Sequence, residues 1–243
     1  MSYRTLDAAA IIQTLRRLES RIGERFPDSG LYAVCQDLVA IGEDVQQKSS
    51  AIAKPNLVLR AAICIAIAAG VAGLAVIPFA INFQMGSAEL LSVFQGVEAA
   101  ANIVVLMGAA LFFLVSIETR IKRRRAMRDL HTFRSFAHVI DMHQLTKDPS
   151  SIIAGGPATE SSPRRAMTTF EITRYLDYCS EMLSITSKLA ALYAQNLPDA
   201  VIIDAVKDIE ALTTNLSQKI WQKITIPDAS GIEPAGPGRD RKA

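Results

Sequence analysis

Reactive and metal-binding side chains are scarce in this chain. Three cysteines and three histidines are spread over 243 residues. Cys35, Cys64 and Cys179 lack the paired spacing of a zinc site or a dithiol redox motif. In a cytoplasmic chain such thiols are expected to be small core residues or inert groups, not disulfides. Charge of one sign is lacking too. A formal net charge of +2 gives no overall electrostatic footprint for nucleic acid, so no nucleic-acid partner is expected. Gly155 and Gly156 are not followed by Lys and Ser or Thr at P-loop spacing, and neither a nucleophile elbow nor a zinc-protease pair occurs. No catalytic, cofactor-binding or metal site is therefore predicted. His131 and His138, with Asp141 one turn on, would share one side of a helix, but one His plus one carboxylate is not a coordination set and His143 points elsewhere. Hydrogen bonding on or between helices explains them better. Tyr175, Tyr178, Tyr193 and Trp221 fall at helical spacing that core packing explains more economically than a small-molecule pocket.

Two long uncharged apolar stretches are present, Ala61 to Phe83 and Ala99 to Ile117. At about 1.5 Å of rise per residue they would extend about 34 Å and about 28 Å, enough for a hydrocarbon core of about 30 Å. The first begins too far into the chain, and is too long, for the apolar region of a cleavable signal, so a retained signal anchor is expected. Lys48, Lys54 and Arg60 precede the first stretch, and Arg120, Lys122, Arg123, Arg124 and Arg125 follow the second. The connection from Gln84 to Glu98 has no Lys or Arg. Basic residues near spans stay cytoplasmic, so both termini are expected there. The basic run is a membrane-orienting signal and a lipid-facing cluster, with membrane lipids as partners.

Within the first stretch, Ala66, Ala69, Gly70 and Gly73 form overlapping small-residue pairs at four-residue spacing that permit close packing against the second stretch or against another copy. Arg60 and Glu118 each lie just beyond an apolar stretch on the cytoplasmic side, so a boundary ion pair between them is expected.

Apolar residues elsewhere recur with helical period. Ala8, Ile11, Leu15, Leu18 and Ile22 form one stripe. Leu31, Val34, Leu38, Ile41 and Val45 form another, after a break at Phe26 to Gly30. Leu130, Phe133, Ala137 and Ile140 extend the second span into the cytoplasm, and a linker follows Pro149. Thr168 and Glu171 have capping-box spacing before a helix with two apolar stripes, which predicts contact on two sides. The final helix is expected to bury Ile202, Ala205, Ile209, Leu212, Leu216 and Ile220.

The expected fold is an all-α integral membrane protein, a two-transmembrane hairpin with a cytoplasmic helical bundle formed by the N- and C-terminal regions. Residues 1–54 form a cytoplasmic helical hairpin and 55–119 the membrane hairpin; 120–226 form a cytoplasmic helical region with a linker near 148–166, and 227–243 a flexible tail.

In this organisation the chain resembles two-transmembrane effectors such as the SLATT group, and the stretch from His138 to Pro149 resembles bacterial membrane proteins of uncharacterised function. The resemblance implies a bacterial inner-membrane effector that forms a pore after oligomerising, and carries over no functional residue. From the residues themselves the expectation is a non-enzymatic scaffold or regulatory module whose cytoplasmic helices bind a second copy or a cytoplasmic protein partner. Reporters fused to both termini should read cytoplasmic and a tag near Ser87 should be accessible from outside; a C-terminus found outside would overturn the hairpin.

Overall fold

In a computed structural model, residues 5–53, 57–80, 89–149, 160–161 and 167–229 are described, and every regular element among them is α-helical. The helices are α1 (Ala8–Arg25), α2 (Gly30–Ala53), α3 (Leu57–Ala80), α4 (Glu89–Leu145), α5 (Thr169–Asn196) and α6 (Ala200–Ala229). They divide into two compact units, one of Met1–Ala53 with Ala126–Ala243 and the other of Lys54–Arg125.

The first unit is a bundle whose helix ends follow local chemistry. Asp7 caps α1 by accepting from the amides of Ala9 and Ala10 at 2.9 and 3.4 Å. The α1–α2 break is closed by Ser29, whose hydroxyl donates to the Phe26 carbonyl at 2.8 Å and accepts from the Tyr32 amide at 3.2 Å. The Thr168–Glu171 capping box opens α5, and Leu197 to Asp199 separate α5 from α6. α4 stops at Leu145, shortly before Pro149.

Burial in the outer helices of this unit repeats at alternating four- and three-residue steps, the spacing of helices packed side by side along their length. In α1 it falls on Ile11, Leu15, Leu18 and Ile22, and in α4 on Ala126, Leu130, Phe133, Ala137, Ile140 and Gln144. In α2 and α6 most of the expected stripe is buried, Leu31, Leu38 and Val45 in the one and Ile202, Ile209, Leu216 and Ile220 in the other. The intermediate members fall one residue later: Cys35 and Gly42 are buried while Val34 and Ile41 are half-buried, and Val206 and Thr213 are buried while Ala205 and Leu212 are half-buried. A Cβ at Gly42 would meet the Leu15 and Leu189 side chains at 3.5 and 3.6 Å, ordinary van der Waals contact. Thr213 satisfies its hydroxyl on the Ile209 carbonyl at 2.9 Å.

α5 is buried on two sides. Ile172, Leu176, Cys179, Leu183, Ala190 and Tyr193 are buried together with Tyr175, Met182, Ile185, Leu189 and Leu192. It packs against α1, α2 and α6, and meets α4 where the Phe133 and Tyr193 rings sit edge to face at 6.5 Å. α6 continues through Pro227 to Ala229, beyond the start of the expected tail. A proline in a final turn forfeits one intrahelical bond, and this helix ends two residues later.

α4 is one unbroken helix from Glu89, so it begins ahead of the second apolar stretch at Ala99 and runs through it without a break. From Phe94 onward α4 is long and apolar enough to cross a membrane, and none of its most apolar window is buried. The described apolar part of α3, Ala61–Gly73, is shorter than a span.

Leu183 is fully buried at the middle of α5. Leu183→Ala should cost about 2 to 5 kcal/mol of bundle stability, measured by chemical denaturation followed through helicity. Val201→Ala, at an exposed position of α6, should change it by less than about 0.5 kcal/mol.

Candidate functional site

The basic run after the apolar part of α4 does not present a uniform surface. Glu118 and Lys122, one turn apart, form an ion pair at 2.9 Å, with the acid on the N-terminal side as the helix dipole favours. Lys122 and Arg123 are half-buried, whereas Arg120, Arg124 and Arg125 are exposed. Of the expected packing residues, Gly70 is the one set against α4: a Cβ there would lie 1.7 Å from the Met107 Cε. Ala66, Ala69 and Gly73 are exposed, and nothing lies within 4 Å of a Cβ at Gly73. The Arg60 side chain, the other half of the expected boundary pair, lies outside the described residues.

Within the bundle, polar groupings tie helices together, among them the three that follow. Near the end of α2, Lys48 pairs with Asp44 at 2.5 Å and reaches Asp129 of α4 at 3.8 Å, while the Tyr193 hydroxyl of α5 donates to Asp129 at 2.7 Å. The hydrogen bond to Asp44 holds the Lys48 ammonium above its ordinary range, with Asp129 adding to it. Burial, then the bond to the Asp129 carboxylate, pushes the Tyr193 phenol up.

At the end of α4, Lys223 of α6 donates to the backbone carbonyl and the side-chain oxygen of Gln144 at 3.1 and 2.7 Å. The Gln144 carbonyl thus accepts from both this cation and the Lys147 amide, the latter at 3.1 Å, and a cation at a helix C-terminus suits the helix dipole. Beside it His143 fills the space next to Gly30, where a Cβ would come within 2.5 Å of its ring. Burial, then the nearby Lys147 ammonium, lowers its pKa.

α1 and α5 run antiparallel, as two links between them require. The amide of Gln195 brackets Leu6, accepting from its backbone N–H at 2.8 Å and donating to its carbonyl at 3.2 Å, and Arg21 forks onto Glu181. On one side of that fork lies an open cleft of about 450 Å³ lined by Arg21, Glu24, Arg25, Arg174 and Tyr178. On the other lies a groove of about 430 Å³ floored by Ile11 and Ile185 and edged by Leu6, Asp7, Glu181 and Lys188. The cleft arginines are occupied: Arg21 by Glu181 and the Tyr178 ring, Arg174 by Asp177, and Arg25 stacks on Phe170. Such a surface suits polypeptide contact better than capture of a free anion.

The bundle thiols are poor nucleophiles, since burial pushes Cys35 and Cys179 up to about 12. Among the described residues no group of three or more His, Cys, Asp or Glu converges. His131 and His138 are both exposed on α4. The Asp129 and Gln144 networks were not singled out from the sequence. The available signal for Asp129 was a lone carboxylate inside the arginine-rich stretch from Arg120 to Arg134. Comparison with protein-family models, curated proteins and solved structures matched nothing to this chain.

If Asp129 is the hub of its network, Tyr193→Phe and Asp129→Asn should each destabilise the bundle by about 1 to 3 kcal/mol. The double variant should cost clearly less than their sum in a double-mutant cycle, because the two partners are in direct contact.

Proposed function

We propose that this chain is a non-enzymatic scaffold or regulatory module, anchored in the membrane by a two-span hairpin of α3 and α4, that acts through protein association of its cytoplasmic bundle. The observation that carries this reading is a contrast between the two units. In the bundle the large core side chains, Leu15, Phe133, Leu183 and Tyr193 among them, are closed away from water. In the other unit Ile65, Val71, Leu106 and Phe112 stand uncovered. Leaving one such side chain in water forgoes about 1.5 to 3 kcal/mol of burial, so a run of them calls for another apolar phase, and a lipid bilayer is the phase that fits helices of this length. The reading of α3 as a second span is supported by Gly70, which sets it against Met107 of α4, and the basic flanks favour cytoplasmic termini.

Burial leaves neither the Cys35 nor the Cys179 thiol activated, which favours binding over thiol chemistry. The surface offered to a second copy or to a helical protein partner is the α1–α5 seam, with its apolar floor and mixed-charge rim. Crosslinking and native mass measurement in a mild lipid environment, paired with proximity labelling from the C-terminal end, test the reading. Oligomers or a reproducible set of cytoplasmic neighbours are expected. Leu6→Glu combined with Lys188→Glu, both at exposed positions, should weaken the association without loss of helicity. Monomers with no reproducible neighbours would contradict the scaffold, and ion flux from sealed liposomes containing the intact chain would favour a pore instead.

A further inference from the structure

The five basic residues that follow the apolar part of α4 divide by direction. Lys122 turns inward to Glu118, their side chains 21% and 17% exposed. Arg123 is half-buried, and Arg120, Arg124 and Arg125 are exposed. Leu106, Phe113 and Arg120 follow one another at seven-residue steps and Arg124 lies one turn beyond, so these four residues share a face of the helix. The face is open at Leu106 and Phe113, 70% and 63% exposed, and half-buried at Ile117. From Leu106 to Arg120 it rises about 21 Å. It carries no carboxylate: the acid in this stretch is Glu118, which is paired with Lys122.

We propose that this face binds one class of ligand, an anionic phospholipid, whose acyl chain lies along Leu106 and Phe113 and whose headgroup phosphate is held by Arg120 and Arg124. Arg125 adds charge from the adjacent position. The inference rests on the membrane reading above and adds a lipid preference to it. Guanidinium forks match phosphate oxygens bidentately, and exposed arginines bring them to the headgroup level without an acidic neighbour competing. A topology signal alone is indifferent to direction, so Lys122 would serve it as well as any arginine of the run. Lipid binding is not indifferent, because an ammonium turned towards Glu118 meets no headgroup.

The test uses the full chain in nanodiscs of equimolar phosphatidylcholine and phosphatidylglycerol, with retained lipid identified by native mass spectrometry. Phosphatidylglycerol should be retained over phosphatidylcholine by roughly fivefold or more, the scale of one basic residue acting near an anionic surface. The triple variant Arg120→Gln, Arg124→Gln, Arg125→Gln should abolish that preference, and Lys122→Gln should leave it. A triple variant that keeps the preference, or a Lys122→Gln variant that loses it equally, would overturn the proposal. Alkaline carbonate washing of each variant in vesicles reads insertion separately. A wild-type chain that washes off overturns the membrane reading, whereas one that stays inserted without a lipid preference overturns the binding face alone.

Discussion

Apolar side chains stand uncovered along the first part of α4: Phe112 is 77% exposed and none of the most apolar window of the helix is buried. The same helix, beyond Arg125, contributes Ala126, Leu130, Phe133, Ala137 and Ile140 to a closed core. One continuous element therefore answers to two environments. Its first part must satisfy every backbone group internally and present apolar side chains outward, as hydrocarbon demands. Its last part must present an apolar stripe inward and charge outward, as water demands. The change happens at the basic run, and the Glu118–Lys122 pair supplies a matched inward-facing charge there.

That requirement explains why the bundle is organised around α5. A helix whose apolar first part lies outside the bundle offers only its last turns to the core, and α2 is likewise tied at its end to the chain that leads to α3. α5 carries no such obligation and buries two faces against its neighbours. Two of the polar links sit where α4 enters and leaves the bundle. Tyr193, Asp129 and Lys48 join α5, α4 and α2 where α4 enters the bundle, and Lys223 with Gln144 joins α6 to α4 where α4 leaves it. Each link involves at least one ionised group in a half-buried setting, where a lost partner costs more than the intact bond contributes. They fix the lengthwise register of helices whose apolar stripes alone would tolerate sliding by a heptad.

The helical elements of this fold are legible in the sequence because each bundle helix carries a long apolar period, punctuated by the break from Phe26 to Gly30, by Pro149 and by the capping box of Thr168 with Glu171. The two stripes of α5 announced its two-sided burial. Hydropathy does not pick out the intermediate stripe positions of α2 and α6, where Cys35 and Thr213 are buried although Val34 and Leu212 are more apolar. The site residues were less legible. Composition marks Arg120 to Arg125 as one basic cluster, but only the position of Glu118 separates Lys122 from the outward-facing arginines. Small-residue spacing marks Ala66, Ala69, Gly70 and Gly73 alike, yet Gly70 is the one set against Met107. The Asp129 and Gln144 links join residues far apart in the chain, and no local pattern encodes them.

Whether a bilayer covers the apolar part of α4 can be read position by position. Spin labels placed singly at Val105, Leu106, Phe112 and Phe113, all exposed on α4, would be scanned in vesicles for collision with oxygen and with a water-soluble nickel complex. High oxygen and low nickel accessibility at all four positions is the predicted result, because oxygen partitions into hydrocarbon and the complex does not. Nickel accessibility at those positions equal to that at His131 or His138, exposed on the bundle part of the same helix, would contradict the account.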